Sequence, residues 1–321
     1  MLRLIGTPHS TQARRSLLAG LLIAVFACTP FAAMAQEKAQ EKPAQKDAKP
    51  DLSQKDAGKL PTEKDLEKKK AEAKTAPVKF SPVELLVETS ILAYGGRKSL
   101  ETARAAIQEQ GTIRLASDQG DLTGGYNLRM MRREKSWQDL LRVDLEITQP
   151  GSAEVNRPAI KYIIGFNGAS VWSAQNGQYI TLGASAERAF RAQLTHEYSA
   201  LLRYKEDGSK IELIGPETLV GVETNMIDLT TPTGDKTRFW VSTKTYRVIQ
   251  SEYEIKLDDS QPPTKYLLKY FYTPFKVVQN TLVPVRRVMS QDGKFVQEIT
   301  LNNVIYSAKL DPEIFQHLQE Q

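Results

Sequence analysis

The chain has 321 residues, a quarter of them charged, and a formal net charge of +5. That charge is unevenly placed: Arg3, Arg14 and Arg15 fall in the first 35 residues, residues 36–79 hold twelve lysines against nine acids, and the part from Phe80 on is left at −1. A near-neutral folded part argues against nucleic acid as a partner, since such affinity rests on clustered cations neutralising phosphates. The single cysteine, Cys28, excludes a disulfide within the chain.

In chain order, the three early arginines precede the apolar run Leu17 to Cys28 and then Ala33-Met34-Ala35. A basic stretch, an apolar stretch too short to span a bilayer and a small-residue site together predict an export signal cut after Ala35. Arg14-Arg15 fits an ordinary signal better than a twin-arginine one, and bulky Phe26 speaks against a lipoprotein cleavage box at Cys28. Residues 36–79 are dominated by Lys, Glu, Asp, Gln, Ala and Pro, too poor in aliphatic side chains to offset the cost of ordering, so they are expected to form a disordered tether.

The folded part is expected over residues 80–321. Ser81-Pro82-Val83-Glu84 has the pattern of a capping box with Pro at the first helical position. Val83, Leu86, Val87, Ile91 and Tyr94 then share one helical face, and Gly95-Gly96 stops the helix. A short helix near 99–106 follows, and the period then changes to two. Leu141, Val143, Leu145 and Ile147 alternate with Arg142, Asp144 and Glu146, the mark of a strand with one dry face and one wet face. Ile160, Tyr162, Ile164 and Phe166 repeat the pattern before the Asn167-Gly168 turn, and Val171-Trp172 pairs back.

One helix interrupts the strands, predicted over 186–204, with Phe190, Leu194, Tyr198, Leu201 and Leu202 in a stripe. Short β-prone runs resume at Ile211, broken by turn residues such as Pro232-Thr-Gly-Asp, and continue to about residue 304. About ten strands with few helices predict a mainly β fold, α+β in class, built on one large, strongly curved antiparallel sheet.

Reactive groups are sparse. After processing only His196 and His317 remain, neither at ligand spacing from a carboxylate, and His196 reads as a surface or boundary residue of its helix. Glu252 and Glu254 share one side of a strand and would suit an exported hydrolase only if they lined a cleft; a solvated strand face is the simpler reading. Arg129, Arg132, Arg133 and Lys135 form a basic cluster suited to an anionic surface or to an ordinary exposed turn. No metal site, cofactor site or catalytic constellation is expected.

Several segments resemble a known family: Ile91-Leu-Ala-Tyr-Gly-Gly-Arg-Lys-Ser-Leu-Glu-Thr, Phe166-Asn-Gly-Ala-Ser-Val-Trp, Gly221-Val-Glu-Thr with Arg238-Phe-Trp-Val-Ser-Thr-Lys-Thr, Leu282-Val-Pro-Val-Arg, and Leu310-Asp-Pro-Glu-Ile-Phe. Together they look like outer-membrane lipoprotein-sorting proteins of the LolA/LolB-like superfamily, over nearly all of residues 80–321. The resemblance implies an unclosed antiparallel β-barrel with helices plugging its mouth. It also implies a non-enzymatic periplasmic carrier, a monomer that takes lipidated protein or lipid cargo from a membrane-bound donor to an acceptor. On that reading Leu141, Val143, Leu145, Tyr162, Ile164, Phe166 and Trp172 line an acyl-chain cavity, and Phe190, Leu194 and Tyr198 belong to a lid helix. The same side chains would equally build a sealed core, and an envelope sensor or interaction module could use the same scaffold.

Overall fold

A computed structural model describes residues 80–118, 120–148, 159–270 and 275–316. The expected export signal (1–35), the charged tether (36–79) and His317 lie outside the described residues. Helix α1 (Pro82–Ala93) starts as its sequence dictates: the Ser81 hydroxyl accepts from the Glu84 N–H, and the Glu84 carboxylate accepts from the Ser81 N–H at 2.9 Å. Val87, Ile91 and Tyr94 are buried along one face. Gly95, at φ +117°, turns the chain where a Cβ would stand 2.2 Å from the Asn280 carbonyl oxygen, so only glycine fits there. A short helix, α2 (Arg97–Ala103), follows.

Six strands then run as a meander: β1 (Ala106–Leu115), β2 (Leu122–Met131), β3 (Leu140–Thr148), β4 (Ile160–Phe166), β5 (Val171–Gln175) and β6 (Gln178–Ile180). Helices α3 (Ala184–His196), α4 (Tyr198–Leu202) and α5 (Tyr204–Asp207) carry the chain to the far edge of the same sheet. From that edge β7 (Lys210–Leu219), β8 (Val222–Thr230), β9 (Lys236–Ser242), β10 (Val248–Ile255), β11 (Thr264–Lys269), β14 (Arg286–Gln291) and β15 (Lys294–Tyr306) meander back until β15 pairs with β1. Strands β12 (Phe275–Val278) and β13 (Thr281–Pro284) form a separate hairpin. The result is one thirteen-stranded antiparallel sheet with β6 and β7 at its two edges, unpaired with each other, so it curls without closing into a barrel. This topology places the helices: a connection between opposite edges has to cross a face of the sheet.

The inner face can be read from the register. Met130 pairs with Leu141 and Leu141 with Phe166; Leu128 pairs with Val143 and Val143 with Ile164; Tyr126 pairs with Leu145 and Leu145 with Tyr162. Between these rows, Arg142 and Asp144 point outward with Arg129, which is ion-paired to Asp144. The alternation of apolar and charged residues in the sequence is therefore the two faces of the sheet.

Two predicted elements are broken. The expected helix over 186–204 is three helices, interrupted at Glu197 (φ −73°, ψ 163°) and again at Arg203. Successive helical residues point about 100° apart, yet three neighbours here all turn inward. His196 packs on Tyr253, Glu197 faces Arg287, and the Tyr198 N–H donates to the Tyr270 hydroxyl at 3.0 Å. The expected strand over 282–289 divides at Val285, its first half pairing with β12 and its second with β11 and β15.

His196 is a core residue rather than a boundary one. It is 2% exposed, stacks on Tyr253 at 4.0 Å, and its Nδ1 lies 2.6 Å from the Thr237 hydroxyl. Burial pushes its pKa down to about 4, against a weaker opposing pull from Asp235. The imidazole stays neutral in the fold while the unfolded chain takes up a proton below about pH 6.5, so the fold loses stability as pH falls from about 6.5 to about 4, by ~3 kcal/mol. Urea unfolding at pH 7 and pH 4.5 should show this loss in the natural protein and a shallower one in His196→Phe. Equal slopes would contradict it.

Candidate functional site: a lidded cavity on the inner face

A cavity of about 110 Å³ lies between the inner face and α3. Its walls come from seven strands, β1 to β4, β11, β14 and β15, which only a strongly curled sheet can bring around one space. Leu141, Val143, Leu145 and Ile164 are in the wall, and Phe190 and Leu194 of α3 close it. Four of the proposed cavity residues and two of the proposed lid residues thus meet at one void. Phe166 is buried on the same inner face beside Leu141, Ile164 and Phe190, without bordering the void.

Three of the predicted residues sit elsewhere. Tyr162 is buried on the inner face without bordering the void, and its hydroxyl has no hydrogen-bond partner; burial pushes its pKa up to about 12. Tyr198 follows the break at Glu197 and stacks on Tyr94 at 5.4 Å, bordering a second cavity instead. Trp172 is on the opposite face of the sheet, and its assignment to the cavity is corrected. It pairs with Gly165, whose missing side chain leaves room for the indole, and its N–H donates to the Phe315 carbonyl at 2.9 Å. Arg142 covers it from the same outer side and donates to the Ile314 carbonyl.

The contact of α3 with the sheet through Phe190 forms a cluster partly distinct from the main core, with Leu128, Met130 and Val143 packed against both. Leu141, Ile164, Phe166 and Phe190 form a small cluster of their own. The main core meets α3 only through small side chains, Ala189 and Ala192, before reaching His196 and the aromatic group around Tyr198. Near its N-terminal end α3 is held by the Ser185 hydroxyl on the Leu257 carbonyl and by Arg188 and Asp259 at 3.2 Å, an exposed pair. Exposed pairs contribute about 0–1 kcal/mol, so this end of α3 is held mainly by the burial of Ala186, Ala189 and Phe190.

Charge enters the inner face at one place. Glu109 of β1 and Arg287 of β14, both buried, are ion-paired, and Glu197 at the helix break lies 3.6 Å from Arg287. Burial raises the Glu197 pKa, with Arg287 pulling it back and Glu109 adding to the rise. Asp139 also borders the void; burial pushes its carboxyl up to about 6 although the Arg203 guanidinium sits 2.6 Å away. These residues are absent from the sequence-based set. The signal was present: Glu109 stands at an inward position of β1, between Ile107 and Gly111, where an apolar residue is the rule.

Elsewhere the polar groups are neutralised locally. Glu252 bonds Lys265 at 2.7 Å, Glu254 is exposed, and neither borders this cavity or the second one. In the basic cluster, Arg129 pairs with Asp144 and Arg132 with Glu206, while Lys135 donates to the Glu206 carbonyl. Among the described residues no group of three His, Cys, Asp or Glu side chains converges as a metal site, and no helix is long and apolar enough to cross a membrane.

Fold and site together define an open antiparallel half-barrel with a helix laid over an apolar hollow. No protein-family model matches the chain, and no curated protein does. Solved structures similar to it include a DUF1329 family protein from Desulfovibrio piger, 13% identical with a TM-score of 0.47 over 74% of this chain and 98% of that one. A putative outer membrane lipoprotein-sorting protein domain from Vibrio parahaemolyticus is 12% identical, with a TM-score of 0.45 over 72% of this chain and 94% of that one. A LolA superfamily protein from Nitrosomonas europaea is 17% identical, with a TM-score of 0.44 over 72% and 97%.

Proposed function

We propose that the domain is a non-enzymatic periplasmic carrier that shields acyl chains of lipoproteins or lipids between a membrane-bound donor and an acceptor. The observation that supports this most directly is the apolar void between Leu141, Val143 and Ile164 on the sheet and Leu194 on α3. A dry cavity of about 150 Å³ takes up one benzene, so a void of about 110 Å³ is a foothold for a hydrocarbon and too small for a long chain. Loading therefore requires α3 to lift from the sheet, with the extended residue Glu197 as the pivot.

The energetics suit a carrier. Each methylene withdrawn from water contributes about 0.8 kcal/mol, while lifting α3 exposes Phe190 and Leu194, side chains of the same kind. Lid and cargo compete for one apolar wall, and the difference between two similar contacts keeps binding reversible. The test is titration of the delipidated domain with a fluorescent long-chain acyl probe. Saturable uptake of about one probe per chain is expected, and a domain that takes up none would overturn the reading.

A further inference from the structure

A second cavity of about 50 Å³ adjoins the first and shares Ile107, Glu109, Met130, Glu197 and Arg287 with it. Its character is different. Five arginines and four carboxylates line it. Four of the arginines have carboxylate partners: Arg97 with Glu88 at 2.8 Å, Arg132 with Glu206, Arg203 with Asp139 at 2.6 Å, and Arg287 with Glu109.

Arg104 is the exception. It is 6% exposed, and no described carboxylate lies within ion-pair distance. One of its nitrogens donates to the Leu282 carbonyl at 2.8 Å, its guanidinium lies 5.4 Å from the centres of both the Tyr198 and Tyr306 rings, and its Nε has no acceptor. A carbonyl and two ring faces offset only part of the cost of burying a charge. A buried guanidinium whose Nε has no acceptor, in a chamber that adjoins an apolar hollow, is the arrangement that an anionic amphiphile would complete.

We infer that this chamber binds the carboxylate of a long-chain fatty acid, with Arg104 as its counter-ion and the tail running into the apolar cavity beneath α3. This rests on the carrier reading and adds the head group to it. The chamber is small, about 50 Å³ against about 110 Å³ for the apolar cavity, which suits a compact head group such as a carboxylate. Charge agrees in that Arg104 is the lining arginine without a described carboxylate at ion-pair distance, and a carboxylate head group supplies one. Bidentate pairing of a planar carboxylate with a guanidinium provides the geometric match.

The experiment compares palmitoleate with the alcohol of the same chain length, each titrated calorimetrically into the delipidated domain at pH 8, in the natural protein and in Arg104→Gln. The inference predicts that the acid binds at least tenfold tighter than the alcohol, and that Arg104→Gln brings the two within twofold, with the loss falling on the acid. Acid and alcohol within twofold of each other in the natural protein would overturn the head-group assignment and leave the carrier reading standing. Binding of neither would overturn both. A tenfold preference that persists in Arg104→Gln would place recognition elsewhere and overturn the role of Arg104. If melting shows that Arg104→Gln does not fold, the ratio in the natural protein decides alone.

Discussion

Replacing Val143 with tryptophan is expected to weaken binding of a long-chain acyl probe by at least about 100-fold and to leave the fold as stable as before or more so. Val143 is half-buried at the middle of the cavity wall, between Leu128 on β2 and Ile164 on β4, and its side chain faces the void. An indole there occupies space that is empty and lined by apolar atoms, so it gains contacts instead of displacing neighbours. A tail arriving later finds the space taken; a 100-fold loss corresponds to about 2.7 kcal/mol, roughly the burial of three or four methylenes. If these residues were instead a sealed core, the same substitution would overpack it, at a cost of about 1–3 kcal/mol, with no binding to lose. Melting temperature and probe affinity measured on the same sample separate the two: a stable protein that no longer binds supports a cavity, and a destabilised one contradicts it.

Arg287→Met is expected to cost about 3–5 kcal/mol of stability, the largest effect of any single change at the site. Arg287 neutralises Glu109 from across the sheet and Glu197 at the pivot of the lid, and its removal leaves two carboxylates inside the protein facing tyrosines. Burial already raises the Glu197 pKa in the intact site. Without the guanidinium that rise grows, so the loss should be greatest near pH 7 and shrink as the pH falls into the carboxylate range, where Glu197 takes up a proton. Adding Glu109→Gln to Arg287→Met removes one stranded charge and should restore a substantial part of the loss. Urea midpoints of the two single variants and the double variant test this. A loss below about 1 kcal/mol in Arg287→Met, or no recovery in the double variant, would show that the triad does not stitch lid to sheet.

The alternation around Leu141 and Ile164 made much of this fold legible, because in a one-sided sheet the residue period is the two faces themselves. The same argument would have placed Trp172 correctly. The loop after Phe166 pairs Phe166 with Val171, so Trp172 falls opposite Gly165, on the outer side with Arg142. Reading the tryptophan by its hydrophobicity, without carrying the register through the turn, put it on the wrong face. The helix break at Glu197 was illegible for another reason. Each residue from His196 to Tyr198 is an ordinary helix occupant, and what ends the helix is the demand of three distant partners, Tyr253, Arg287 and Tyr270. The charged floor was half legible, since Glu109 breaks the apolar pattern of its strand, but its partner lies far along the chain and only the pairing of β1 with β15 and β14 brings them together.

The separate cluster beneath α3 also bears on dynamics. On the proposed reading, α3 opens by withdrawing Phe190 and Leu194 from the sheet together with Ala189 and Ala192 from the main core, and segments with few buried contacts supply the low-energy openings of a protein.

The central claim is that hydrocarbon enters between α3 and the inner face of the sheet, and contacts measured by nuclear magnetic resonance between a bound fatty-acid tail and assigned methyl groups address it most directly. The structure predicts contacts from the tail to the methyls of Leu141, Leu145, Ile164 and Leu194. Contacts confined to Leu85 and Leu92, exposed on the outer side of α1, with none to those four, would contradict it.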